Sequence, residues 1–231
     1  LSMHASLSQQ GFHLSARTTI PVSSSLVRHC SLHVLYVLVP DLYADQHELA
    51  QRTAYRVQLH GSDDLELPVA AVASADSVLL LHAFLAENAI SDLTLDVPLH
   101  ARYGNPVPAS QSPYHSISLR PPTAFWACPT SGTPESTAPK PVPNNLAAAH
   151  SMPDDLAPYV PPKLFPSSRL SVIPYDAFPH DLEVTIPVGV SDDLRYIDVG
   201  TAAVMLLMFA YLVSVSVKTA RRLYPRPTKA E

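Results

Sequence analysis

Two short acidic pairs, Asp64-Leu65-Glu66 and Asp181-Leu182-Glu183, are the residues of this sequence best spaced to hold a metal-bound substrate. A spacing of two puts both carboxylates on one side of a strand, as when a metal-dependent sugar transferase holds a cation and a diphosphate. Neither pair has a glycine-rich or basic neighbourhood to receive the phosphates, so edge strands kept soluble by charge are the better reading. His29 and His33 have the i, i+4 spacing of a helical metal pair. On a strand they stand about 13 Å apart and cannot share an ion. The 11 histidines are scattered, and surface or core-satisfying roles account for them. Gly-x-Ser-x-Gly, a glycine-rich phosphate loop and His-Glu-x-x-His are all missing. No catalytic set, cofactor or metal site is therefore expected. On a predicted strand, His100 and Arg102 share one face and Tyr103 takes the other. If the first two face a core they need partners, because a buried unpaired charge is very costly. They are read as organising the domain or its contact surface.

Cys30 and Cys128 cannot form a four-thiolate zinc site, although they can form one bridge. A disulfide tying an early strand to the end of a β-rich domain is the obvious pairing in an oxidising compartment. Two buried free thiols are the alternative.

The elements that must carry these residues are mostly short strands. From Arg28 to Val39, Cys30, Leu32, Val34, Tyr36 and Leu38 alternate with His29, Ser31 and His33. Similar runs are Tyr55–Leu59, Val78–Phe84, Leu93–Leu99, His115–Leu119, Leu170–Ile173 and Leu182–Val188, which together predict a mainly β, antiparallel, sandwich-like domain. A helix is predicted over Ala44–Arg52, with Asp45 as N-cap and Glu48 as its capping-box partner. The 231 residues include 24 prolines and 6 glycines, and the net charge is −5. With 15 basic against 20 acidic residues and no basic stripe before the tail, a nucleic-acid partner is excluded.

Val199–Val217 runs 19 residues without a charge, about 29 Å as a helix, enough to cross a bilayer. Lys218, Arg221, Arg222, Arg226 and Lys229 follow it against the single acidic Glu231, so the positive-inside rule places the tail in the cytosol and everything before it in a lumen or outside the cell. The expected organisation is a luminal β-rich domain over 1–128 and a Pro-rich linker or loop over 129–168. Strands and a membrane-proximal stalk follow over 169–196, then a transmembrane helix over 197–217 and a basic tail over 218–231. Within the span, Gly200, Ala203, Leu207, Ala210 and Ser214 recur at spacings of three and four. They form one face of mostly small residues on which a partner helix can pack closely. The first residues, LSMHASLSQQGFH, hold no apolar signal-peptide core, so a removed signal or an incomplete N-terminus is expected.

Several segments together resemble the PIG-X family of accessory subunits of glycosylphosphatidylinositol (GPI) mannosyltransferase I. Gly11-Phe12-His13 is similar to the family's early Gly-Phe-His. Cys30 through Val39-Pro40-Asp41-Leu42-Tyr43-Ala44-Asp45 to Glu48-Leu49 resembles its strand and Pro-x-Gly-Leu-Tyr-x-Asp-x-x-Glu-Leu segment, with Asp41 in place of glycine. The run from Val97 to Pro106, containing His100, Arg102 and Tyr103, resembles Leu-Pro-x-His-x-Arg-Tyr-His-x-Pro, with Gly104 in place of the second histidine. Phe125-Trp126-Ala127-Cys128 is similar to a Phe-x-Cys element, and Val184–Gly189, with Pro187 and Gly189, to the Val-Pro-Val-Gly strand before the span. The resemblance implies an endoplasmic-reticulum type I membrane protein with no catalytic residues or cofactor of its own. Such a subunit stabilises a multi-spanning mannosyltransferase that adds the first mannose of the anchor. It further implies that Phe12, His13, Pro40, Asp45, Leu49, His100, Arg102, Tyr103, Pro106, Pro187 and Gly189 are structural or partner-contact positions.

Two other functions fit the same layout. A cell-surface adhesion or receptor ectodomain shares the orientation and the β domain. A single-span luminal glycosyltransferase would require Asp64/Glu66 or Asp181/Glu183 for turnover.

Overall fold

The computed structural model describes residues 2–224 except 23, 28–29, 63, 66, 73, 87–90, 131–152, 155, 161–163, 166–167 and 177–179. Its strands are β1 (His4–Gln10), β2 (His13–Ile20), β3 (Ser31–Leu38), β4 (Leu42–Tyr43), β5 (Tyr55–His60), β6 (Ser77–Ala83), β7 (Leu93–Ala101), β8 (Tyr114–Leu119), β9 (Thr123–Pro129), β10 (Ser168–Val172) and β11 (Leu182–Pro187). The α-helices are α1 (Ser24–Val27), α2 (Gln46–Ala50) and α3 (Leu194–Leu223). The chain divides into two units, one of residues 1–105 and 114–188, the other of residues 106–113 and 189–231.

In the first unit the strands form sheets ordered β1-β2-β7-β4, β10-β9-β3-β6-β5 and β11-β8, and every pairing within them is antiparallel. The mainly β, antiparallel architecture predicted from the alternating runs is thus present. Every second residue of β2, β7, β3 and β6 enters one shared core, where Ile20, Leu32, Leu38, Leu79, Leu81 and Leu95 are fully buried. At about 25 cal/mol per Å² of apolar surface, this burial is the main driving force for the unit. Inside it the hydroxyls of Thr18 and Tyr36 lie 2.8 Å apart and satisfy each other, and burial raises the Tyr36 pKa above its ordinary value despite that bond.

β3 shows why its sequence is apolar at nearly every position. Leu32, Val34, Tyr36 and Leu38 enter the main core, whereas Leu35 and Val37 enter a second cluster with Val78, Leu80 and Phe125 on the opposite face of the sheet. Leu156 and Val160 are buried in that second cluster, and Leu164, Phe165, Leu170 and Val172 pack against it. The described end of the predicted 129–168 segment therefore covers the sheet. Residues 131–152, the bulk of that segment, lie outside the described residues. The strand predicted from Arg28 begins at Ser31, and His29 is likewise outside the described residues.

Cys30 and Cys128 are joined by a disulfide, with Cα atoms 4.3 Å apart across 98 residues of sequence. The register explains the pairing. Ser31 opposes Ala127 in the β3–β9 ladder, so the two cysteines are the next residues out on adjacent strands.

In the second unit, the Val107 amide donates to the Gly189 carbonyl at 2.8 Å and the Ser191 amide donates to the Val107 carbonyl at 2.9 Å. A 3-10 turn, Ser191–Asp193, then leads into α3. That helix has 30 residues, about 45 Å at 1.5 Å per residue. It is long and apolar enough to cross a membrane, and it starts before and ends beyond the predicted 197–217 span. Gly200, Ala203, Leu207, Ala210 and Ser214 all lie on it, exposed.

Candidate functional site

The segments that stand apart in sequence, 11–13, 40–49 and 97–103, meet at one end of the β2-β7-β4 sheet. The β1–β2 hairpin closes on the pair Gln10↔His13. Its two-residue loop starts at Gly11, whose φ of +64° is a conformation that favours glycine. This turn sets Phe12 and His13 beside the end of β7, where His13 opposes His100 in the ladder and the Ala101 amide donates to the Phe12 carbonyl at 2.9 Å. The Phe12 and Tyr103 rings lie 4.9 Å apart, and the His13 and His100 rings meet edge-on at 4.9 Å.

On the other side of β7 a tight turn places β4. The Leu42 amide donates back to the Val39 carbonyl across Pro40 and Asp41, and the Arg102 amide donates to the Asp41 carbonyl at 2.8 Å. Asp45 caps α2, its carboxylate accepting from the His47 amide at 2.8 Å. The expected N-cap is therefore present, but the helix is shorter than predicted, Gln46–Ala50. Glu48 serves a different partner from the expected capping box. Its carboxylate is 2.8 Å from Nε2 of His100 and 3.8 Å from the Arg52 guanidinium. Leu49, one residue on, is buried in the main core.

Arg102 is the centre of this corner. It is 3% exposed. Nη1 donates to the carbonyls of Asp64 at 2.6 Å and Leu67 at 3.0 Å, and the guanidinium carbon lies 4.8 Å from the Tyr43 ring centroid. The His100 ring stacks on that same tyrosine at 5.1 Å. Burial lowers the Arg102 pKa, opposed by Tyr43 and Asp64, and burial raises that of Tyr43, opposed by Arg102. A guanidinium nonetheless stays charged across the accessible pH range. Two carbonyl acceptors and a ring face offset its burial, while the buried Nε has no hydrogen-bond partner among the described residues. They also tie the loop after β5 to the end of β7, together with the Val69 amide, which donates to the Tyr103 carbonyl at 3.2 Å. Tyr103 itself is 72% exposed.

The remaining expected positions fall elsewhere. Pro187 ends β11 opposite Tyr114. Pro106 and Gly189 belong to the second unit, where a Cβ on Gly189 would sit in ordinary contact with Pro106. The two acidic pairs are used as follows. Asp64 is used through its carbonyl, Glu66 is outside the described residues, and Asp181 accepts from the Ser118 hydroxyl at 2.8 Å. Among the described residues no group of three His, Cys, Asp or Glu is placed to hold an ion.

A second polar group went unnoticed in the sequence. His33 on β3 stacks on His82 of β6 at 4.9 Å and meets Phe165 edge-on at 4.7 Å. The two histidines oppose each other in the ladder. Nε2 of His33 is 2.9 Å from the Ser31 hydroxyl, whereas its buried Nδ1 has no partner among the described residues. Burial first, and His82 second, lower the His33 pKa to about 4, while burial and then Arg56 lower that of His82. The alternation of β3 puts His33 on the face away from Leu32, Val34 and Tyr36. The identity of its covering residue could not be read, because Phe165 lies 132 positions away across the Pro-rich segment.

A profile of the family described as PIG-X / PBN1 matches residues 9–217. The chain is 26% identical over 225 residues to Protein pbn1 of Neurospora crassa, an alignment that covers 90% of this chain and 41% of the relative. It is 31% identical over 113 residues to Protein pbn1 of Emericella nidulans, covering 43% of this chain and 20% of that protein. The chain thus spans less than half the length of these relatives.

Proposed function

We propose that this chain, which belongs to the PIG-X / PBN1 family, is a non-catalytic subunit that holds and stabilises the catalytic subunit of GPI mannosyltransferase I. The family is known as a component of GPI-anchor biosynthesis. On this reading the chain resides in the endoplasmic-reticulum membrane as a single-pass type I protein, with the β unit in the lumen. Its partner is the multi-spanning enzyme that adds the first mannose. The observation that carries the reading is the use made of the corner's polar residues. His100 is held by Glu48, and Arg102 by two backbone carbonyls and Tyr43. Side chains so engaged hold strands and loops in place, which suits a scaffold. The orientation rests on Lys218, Arg221 and Arg222 in the last two turns of α3 and on the acidic Asp192, Asp193 and Asp198 around its start. The small-residue face of Gly200, Ala203, Leu207, Ala210 and Ser214 offers the enzyme a packing surface within the bilayer.

The test is recovery of the full chain through a tag from mild-detergent extracts. A multi-spanning mannosyltransferase should co-purify, and deletion of the chain should remove GPI-anchored proteins from the cell surface. Recovery without that enzyme, or surface labelling of the chain itself, would contradict the proposal.

A further inference from the structure

We propose that the outer edge of β5 takes up an extended luminal segment of the partner protein as an added strand, one whose side chains alternate apolar and acidic. The inference rests on the reading of the chain as a subunit that holds another membrane protein.

β5 ends its sheet. Among the described residues its ladder partner is β6 alone, and its other edge has no strand beside it. Unpaired backbone N–H and C=O groups on such an edge are a template for a further strand. Hollows open on both faces of this strand. On the main-core side a groove of about 410 Å³ runs between α2 and β5, lined by Leu49, Val57, Leu59 and Phe84 together with the polar Arg52 and Arg56. Phe84, 48% exposed, presents an apolar ring to the groove. On the opposite face a smaller hollow of about 140 Å³ is lined by Arg56, Gln58, His82, Leu164 and Phe165.

The alternation of β5 sorts these linings except for Arg56, which borders both hollows. Val57 and Leu59 pack toward the main core, while Arg56 and Gln58 are exposed and oppose His82 and Leu80 in the ladder. A strand laid against the free edge must send successive side chains to the same two faces. One set meets Leu49, Val57, Leu59 and Phe84, which accept apolar side chains. The other set meets the Arg56 guanidinium. No carboxylate pairs with Arg56 among the described residues, and its charge acts on His82. An acidic residue on the incoming strand supplies the missing counter-charge. The edge thus suits an acidic, alternating strand. α2 contributes to both places, since Glu48 holds His100 and Leu49 lines the groove.

The full chain, tagged and expressed in its own membrane, tests this with a benzoylphenylalanine photo-crosslinker at Gln58 and, as a control, at Ser8 on the exposed edge strand β1. The expected result is a light-dependent adduct with the multi-spanning enzyme from position 58 and none from position 8. Arg56→Glu should lower co-recovery of that enzyme about fivefold or more, while the chain keeps its abundance and its Cys30–Cys128 bridge. Arg56→Lys should retain most of the recovery. If the enzyme co-purifies in the usual amount but position 58 gives no adduct, or position 8 gives the same adduct, the edge is not the contact and the subunit reading stands. If the enzyme never co-purifies with the unaltered chain, both fall.

Discussion

The Arg102 corner and the His33–His82 face are built from the same kinds of side chain, and they treat burial in opposite ways. At the corner, the polar side chains have charged or carbonyl partners, Glu48 for His100 and the Asp64 and Leu67 carbonyls for Nη1 of Arg102, and only Nε of Arg102 is buried without a hydrogen bond among the described residues. On the other face two histidines stack on each other, with Arg56 as their charged neighbour, and Phe125 and Phe165 close around His33. A guanidinium held by carbonyls and a ring face stays charged and in place at any accessible pH. Burial without a counter-charge leaves the neutral imidazole of His33 as the stable form and makes the packing there sensitive to protons. Arg102 is therefore a permanent joint, and the histidine face is a joint that acid loosens.

The largest expected effect tests how far either joint depends on the strands beneath it. Converting both Cys30 and Cys128 to serine opens a loop of 98 residues, for which the chain-entropy account gives about 4–5 kcal/mol as an upper figure. Thermal unfolding of the full chain in detergent should show the loss. It should act first on β3 and β9, the strands under the histidine face, and hydrogen exchange should rise there before it rises at β7. Equal exchange in both regions would remove the distinction between the joints.

Next in size is Arg102→Leu, which deprives two carbonyls of their charged donor. Hydrogen bonds to charged groups are worth about 1.5–3 kcal/mol each, and the two share one nitrogen, so a loss of about 3 kcal/mol is expected. Arg102→Lys should recover little of it, since a point charge cannot reproduce the planar fork that meets both the carbonyls and the Tyr43 ring. Full rescue by lysine would show that charge, and not geometry, is what the corner requires.

The histidine face gives the pH dependence. His33 has its pKa lowered to about 4 in the folded chain, principally by burial, against an ordinary value near 6.5. Between those values the unfolded chain binds the extra proton and the folded chain does not, so stability falls as pH drops from about 6.5 toward about 4 and levels off below. Discounted for solvent screening, about 1–2 kcal/mol should be lost across that window. His33→Phe should flatten the profile, and a slope unchanged by that substitution would assign the titration to other groups.

These two regions were also unequally legible in the sequence. The alternation of β3 placed Tyr36 and its neighbours in a core, because a period of two is a local property of the chain. It did not show that Leu35 and Val37 enter a second cluster, since that depends on Leu156, Val160 and Phe165 returning from beyond the Pro-rich segment. Strands β1, β2 and β9 went unpredicted for a related reason. The short polar alternation of His4–Gln10 resembles a loop until β2 pairs with it. At the corner, the polar character of His100 and Arg102 and their need for partners were readable, but the partners were not. Backbone carbonyls have no residue signature, and Glu48 stood where a capping box also fits. The split of Pro106 and Gly189 from the other family positions was equally invisible, because it depends on how the chain divides into units.

The smallest effect decides that last ambiguity. A capping box makes Asp45 and Glu48 reciprocal, each satisfying an amide beside the other, so removing both would cost less than the sum of removing each. In the structure they act separately. Asp45 accepts from the His47 amide, and Glu48 reaches His100 on β7. Asp45→Ala should therefore cost about 1 kcal/mol as a lost N-cap, and Asp45→Asn almost nothing, since asparagine caps equally well. Glu48→Gln should cost about 0.5–1 kcal/mol by weakening a half-exposed pair with a histidine. The double variant Asp45→Ala/Glu48→Gln should lose the sum of the two to within about 0.5 kcal/mol. A coupling larger than that would show Glu48 serving the helix end, leave His100 without its carboxylate, and move the corner closer in kind to the histidine face.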